Sequence, residues 1–374
     1  MRIDQFRWTA GRGWEPRRPG GGEGADLLLV FGATSLLRGP GPYAEACAAF
    51  PGAFRFGCST AGDIFGTQVS DDSLVVTPVR FAATRIAGVS TTGLEDSFGA
   101  GKRLAGELDP DDLVHVFVLT EGVHVNGSAL VKGLAGGLPR GVTVTGGLSG
   151  DGARFRETLV VCGGEPVAGT AAALGFYGAG LQVGYSSLGG WDAFGPERLI
   201  TRSQGNVLYE LDGRSALELY KTYLRPHAAD LPASALLFPL SLQTETGDTL
   251  VRTVLRVSEE ESSMTFAGDM PMGTYARFMR ANFDRLIDGA AGAARTSCDG
   301  FSPELALLVS CVGRKLVLGQ RVEDEVEGVR EVLGAGAVLA GFYSYGEISP
   351  LTPSARCELH NQTMTITTLA EPRA

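Results

Sequence analysis

Gly341-Phe-Tyr-Ser-Tyr-Gly346-Glu347-Ile348 and Gly57-Cys-Ser-Thr-Ala-Gly62-Asp63-Ile64 share one pattern: a glycine, four residues, a second glycine, an acid and an isoleucine. A third phrase, Gly146-Gly-Leu-Ser149-Gly150-Asp151, keeps the hydroxyl, the glycine and the acid with one residue fewer between them. The residues before each phrase also agree. Residues 27–30, 114–119 and 305–309 are apolar runs. Each is followed by a polar stretch (31–34, 120–122, 310–314), a helix-compatible segment (43–50, 128–138, 321–333) and a second short apolar run (54–56, 142–144, 337–340). The predicted unit is therefore strand, polar loop, helix, strand, glycine turn, a crossover that sets two strands side by side in one sheet with a helix over it. Such a duplication speaks to architecture before function. It predicts an α/β protein of repeated strand-helix-strand units, forming mixed sheets covered by helices in two related domains.

Composition narrows the class. The 374 residues suit two or three domains, and 44% hydrophobic with 20% charged residues and 53 glycines describes a globular chain with many tight turns. Net charge is −10, and the five arginines before Gly20-Gly-Gly22 are the one basic concentration, so a nucleic-acid partner is not expected. The six cysteines (47, 58, 162, 298, 311, 357) show no CxxC spacing and fit reduced thiols of a cytoplasmic protein. Residues 1–24 carry Arg2, Asp4 and Arg7 and no apolar core, so they are read as an edge strand and connector and not as a leader. The apolar stretch 167–183 is broken by four glycines and is read as buried strands, with no membrane partner expected.

Along the chain, 189–202 is predicted to be a connector and 206–212 a strand. A helix follows with Ser215 and Glu218 in capping-box spacing and Leu217, Tyr220 and Leu224 on one face, stopped by Pro226 and Pro232. This places the domains at 25–212 and 213–374 after the arm 1–24. Residues 250–257 alternate as a half-buried strand with Arg252 and Arg256 on one face, and 273–294 reads as one long helix. Two closing strands, 337–348 and 357–369, are expected to pair about a loop holding Pro350 and Pro353, bringing Glu347 near Glu358 and Tyr345 near His360.

Glycine turns with hydroxyls and a carboxylate at strand ends present backbone N–H groups and short polar side chains, which suits a small polar ligand. The alternative reading is that the acid only bonds turn amides. Cys58 sits at such a turn and is a candidate nucleophile, yet no base is identifiable beside it, so a thiol-dependent enzyme is the weakest reading. Metal-ligand spacings, phosphate loops and dinucleotide fingerprints do not occur in the sequence. A lone imidazole can still ligate haem; His360 or His124 are the candidates, whereas His115 lies inside an apolar strand and His227 follows a proline. Asn126 is placed to cap the helix beginning near Ser128 or to reach a ligand, capping being the simpler role.

The three phrases, with Gly205-Asn-Val-Leu-Tyr-Glu-Leu-Asp-Gly213, Cys311-Val-Gly-Arg314 and Leu359-His-Asn-Gln-Thr363, resemble FIST-domain proteins over nearly the whole chain after residue 25. The resemblance implies a bacterial, cytoplasmic sensory module binding a small polar metabolite such as an amino acid and signalling to kinases, cyclases or chemoreceptors. With no such segment fused here, the signal is expected to pass to a separate partner. Similar proteins that carry haem and sense nitric oxide with a histidine kinase give the second reading. The residues expected at the ligand are Cys58, Ser59, Thr60, Asp63, Asn126, Asp151, Arg314, Ser344, Tyr345, Glu347, His360 and Asn361. Arg314 would hold a carboxylate bidentately. Exposed sheet edges admit a homodimer.

Overall fold

The computed structural model describes residues 1–17, 19, 24–231, 233–243, 249–350 and 356–372. Its frame is three copies of the expected unit. Leu27–Gly32 runs parallel to Phe54–Ser59, Leu113–Thr120 to Thr143–Leu148, and Leu305–Cys311 to Val338–Ser344. The helices Pro42–Ala49, Gly127–Gly137 and Val322–Leu333 lie in the crossovers. An antiparallel strand flanks the first strand of each unit: Ser73–Arg80, Ala171–Tyr177 and Met364–Ala370 respectively. These central strands are nearly continuous apolar runs because both of their faces are covered.

In every unit the second strand carries a glycine opposite the backbone of the first: Gly57 faces Val30, Gly146 faces Val118 and Gly341 faces Leu308. A Cβ at any of the three would overlap the facing carbonyl oxygen. The repeated glycine is thus a packing requirement, and it aligns Thr60, Ser149 and Ser344 three residues further on.

After its glycine turn each unit leaves its own sheet. Asp63–Phe65 pairs with Val338–Ser344 of the third unit, Val160–Cys162 with Phe54–Ser59 of the first, and Gly346–Pro350 with Thr143–Leu148 of the second. The exchange is cyclic, so each of the three sheets contains a strand donated by another unit. Buried apolar side chains fill the spaces between them, among them Phe31 stacked on Phe342 with ring centroids 4.8 Å apart.

Residues 192–280 build a fourth sheet with its own core of Ile200, Leu208, Leu217, Tyr220, Met264 and Phe278. Ser215 caps its helix Ala216–Leu224, its Oγ accepting from the Glu218 N–H at 3.3 Å as expected. Several local expectations are corrected here. The connector expected at 189–202 is largely the strand Asp192–Gln204, with Gly195 and Pro196 in an irregularity where the ladder is interrupted and the missing N–H goes unneeded. The helix expected over 273–294 is the strand Tyr275–Arg280 followed by the helix Phe283–Ser297. Asn282 starts that helix by accepting from the Arg285 N–H, and cross-strand pairing overrides helical spacing before it. The strand expected over 250–257 breaks at Thr253 into Thr249–Arg252 and Val254–Ser258, and Arg252 is turned inward and buried. Cys311 opens the short helix Val312–Leu318 where a polar loop was expected. The closing strands do pair, but in a register that sets Glu347 opposite His360 and Ser349 opposite Glu358, while Tyr345 turns away to Asp151. Pro353 and the rest of 351–355 lie outside the described residues, as do Pro232 and the Gly20-Gly-Gly22 run. Among the described residues, no helix is long and apolar enough to cross a membrane.

Gly57→Ala and Gly341→Ala should each lower stability by about 1–3 kcal/mol or more, because the added methyl meets backbone that cannot rotate away. Gly336→Ala, with open space around it, should change little. Chemical denaturation midpoints measure the contrast.

Candidate functional site

The three glycine turns converge where the exchanged strands cross. Ala61 N–H donates to the Tyr343 carbonyl at 2.8 Å, Gly150 N–H to the Ser59 carbonyl at 2.9 Å, and Tyr345 N–H to the Leu148 carbonyl at 3.2 Å. Each acid is buried and engaged locally. Asp63 accepts from the hydroxyls of Thr60 and Ser73, both at 2.6 Å. Glu347 accepts from Ser344 Oγ at 2.7 Å and from the N–H and Oγ1 of Thr363 at 3.1 and 3.0 Å. Asp151 accepts from the N–H groups of Phe155, Arg156 and Glu157 and from the Tyr345 phenol. Ser59 Oγ accepts from the Leu159 N–H at 2.8 Å. The structure therefore brings most of the expected residues together and points their polar atoms at one another.

Arg314 is fully buried and its fork is filled from within. Nε and Nη2 donate to one oxygen of Glu325 at 3.0 and 2.7 Å, while the other oxygen accepts from Ser310 Oγ and Tyr343 OH. The remaining donors reach the carbonyls of Gly189 and Leu286. It recognises a carboxylate, but that carboxylate belongs to the fold. Cys58 is equally enclosed, and burial pushes its thiol well above the ordinary range, against the thiolate a nucleophile needs.

The imidazoles do not fit haem. His360 is buried in the strand Cys357–His360 and donates Nε2–H to the Ser349 carbonyl at 2.8 Å; burial and then the nearby Arg252 charge hold its pKa down to about 4. That guanidinium also opposes a cationic iron. His124 stands in solvent with its side chain 81% exposed. Among the described residues no group of three His, Cys, Asp or Glu side chains converges on a metal position.

A different locus emerges where the fourth sheet meets the Leu359-His-Asn-Gln-Thr363 turn. Thr253 N–H donates to Asn361 Oδ1 at 3.4 Å, Arg252 Nη1 to the Leu359 carbonyl at 2.8 Å, and Gln362 Nε2 to the Leu236 carbonyl at 3.4 Å. Asn126 both caps its helix, accepting from the Ala129 N–H at 3.0 Å, and donates across the seam to Asp269 at 3.1 Å. Ten buried side-chain polar atoms lack a partner among the described residues, and five of them belong here: Ser128 Oγ, Ser234 Oγ, Thr253 Oγ1, Asn361 Nδ2 and Gln362 Oε1. Each such atom costs about 1–3 kcal/mol when left dry, a cost that water or a polar guest would relieve. Asn361 was legible from the sequence; Arg252, Thr253, Ser128 and Ser234 were not, since none carries a motif. The inward turn of Arg252 follows from the strand break at Thr253, which no periodicity announces.

Two open clefts are less suited. One of about 280 Å³ is lined by Arg7, Arg12, Glu15, Ser70 and Glu323, whose charges already bond one another or the Val69 N–H. The other, about 190 Å³, lies on the fourth sheet beside Glu197, Ser241, Tyr275 and Arg277; Arg277 Nε already donates to the Gly195 carbonyl.

Burial raises Asp63 to about 7 and Glu347 to about 8, outweighing their hydroxyl donors. Both native pKa values exceed the unfolded ones. Their protonated forms therefore contribute stability fully below about pH 4, and that contribution is lost as pH rises through 7 and 8. Asp63→Asn should flatten the fall in melting temperature between about pH 5 and 8. An unchanged pH profile in the variant would show that Asp63 titrates normally.

The FIST N domain family matches residues 26–214 and the FIST C domain family residues 216–350. An uncharacterised protein of Methanocaldococcus jannaschii is 22% identical over 301 residues, covering 73% of this chain. The chain spans 57% of that relative's length. On the two matches, together with the glycine turns and the 359–363 turn that the fold places at its crossings and its seam, this chain belongs to the FIST family of sensory domains.

Proposed function

We propose that this protein is the ligand-binding module of a signalling system, taking a small polar metabolite such as an amino acid into the seam between the fourth sheet and the 359–363 turn. The observation that carries this reading is the group of orphaned buried atoms there. They offer an amide donor, an amide acceptor and three hydroxyls. The guest would touch both the 192–280 unit and the three-unit frame, so occupancy would change how firmly the two are held. A separate partner, such as a histidine kinase, would read that change on the outside. The buried Cys58 and the internally paired acids support a binding role over catalysis.

The test is a melting-temperature screen of the purified protein against polar metabolites, beginning with amino acids. A true ligand at about one hundred times its Kd adds about 2.7 kcal/mol of stability. The shift should vanish in Asn361→Leu, which fills the seam, and persist in Cys58→Ser. A shift that survives Asn361→Leu would place the ligand elsewhere.

A further inference from the structure

Arg252 is the exception among the buried arginines. Arg7 pairs with Glu15 and Arg314 with Glu325, but Arg252, 3% exposed, bonds only carbonyls among the described residues: Asp269 through Nε at 3.2 Å, and Val251 and Leu359 through Nη1 at 3.3 and 2.8 Å. Nη2 takes no part in these bonds. The carboxylates that act on it, Glu358 and Asp269, do so through space, and Asp269 is already engaged by Asn126 and Lys132. A buried cation without a bonded counter-ion is among the most costly arrangements in a protein interior. Burial holds its pKa down to about 10, so it remains charged at neutral pH.

Three residues with orphaned atoms, Ser128, Thr253 and Asn361, lie by this charge. Thr253 is its chain neighbour and bonds Asn361. A Cβ placed on Gly268 would lie 2.9 Å from Arg252 Nε and 3.1 Å from Ser128 Oγ, so glycine there lets the guanidinium and the Ser128 hydroxyl pack beside each other over its backbone. We infer that the group recognised in the seam is a carboxylate, with Arg252 supplying the charge and Asn361 Nδ2 and the Thr253 and Ser128 hydroxyls supplying further donors. The inference rests on the seam being the ligand site. A guanidinium edge matches the two oxygens of a carboxylate. The single positive charge of Arg252, with the negative charge of Glu358 nearby, suits a monoanion better than a phosphate dianion. Arg252 is thus a specificity-determining residue, and it selects acids over their amides.

The probe is formate, the smallest carboxylate, compared with chloride at matched ionic strength and with formamide as the neutral analogue. Formate should raise the wild-type melting temperature by about 1–2 °C over chloride. Formamide should not, and the gain should be lost in Arg252→Gln. If that variant does not fold, Thr253→Val, which removes one donor and keeps the shape, should reduce the gain. Formate acting no better than chloride on the wild type, or equally on wild type and Arg252→Gln, would overturn the carboxylate assignment. If neutral polar metabolites still shift the wild type and fail on Asn361→Leu, the seam stands and only the carboxylate falls; if they shift neither, both fall. A phosphate shift larger than formate's, lost in Arg252→Gln, would replace the carboxylate by a phosphoryl group.

Discussion

The structure depends on one repeated approach: in each unit the second strand comes so close to the first that only hydrogen fits at the facing position, Gly57 on Val30, Gly146 on Val118, Gly341 on Leu308. That approach ends each strand pair in a tight turn whose next strand cannot continue in the same sheet and is handed to another. The cyclic hand-over makes the three sheets mutually dependent, and it brings three polar turns into a shared, dry interior. Burying so many backbone and side-chain polar groups is tolerable only if they satisfy one another. Asp63, Asp151, Glu347 and the Arg314–Glu325 pair do that, each collecting two or more donors from the turns or from neighbouring strands.

This explains why the most conspicuous phrases of the sequence are architectural and the candidate site lies beside them. The acid of each glycine turn is needed to bind its own turn, so it has little left for a guest. The 359–363 turn differs, because its outward neighbours come from the 192–280 unit, a separate body with its own core. Two independently packed bodies rarely match polar atom for polar atom across a seam. The mismatch leaves polar atoms of Ser128, Ser234, Thr253, Asn361 and Gln362 without partners among the described residues, which is where the proposed guest would bind.

Much of the frame was legible. Apolar runs of strand length around helical segments gave the three crossovers, and Asn126 and Ser215 marked helix starts that the structure keeps. The strands of the fourth sheet were harder. Asp192–Gln204 hides its pairing behind a glycine and a proline in its irregularity, and Tyr275–Arg280 carries a helical spacing that tertiary pairing overrides. The closing hairpin was paired in the wrong register because the sheet switch at Tyr345 is invisible locally. Of the site, Asn361 was found through its motif. Alternation, a local rule, sets Arg252 with Arg256 on one face of a single strand, whereas its inward turn follows from a break that serves two different neighbours.

The exchange of strands also sets when the chain can fold as it is made. Phe65 has Ala340 as the partner on one side of its strand, and Gly147 has Glu347 on one side of its own, so sheets begun early in synthesis keep an open flank until the last strands emerge. Such long-range pairing slows folding and leaves hydrogen-bonding edges exposed to other nascent chains. The glycines that let the three units interlock thus make the whole chain, and not either family segment, the smallest piece that can close all of its sheets.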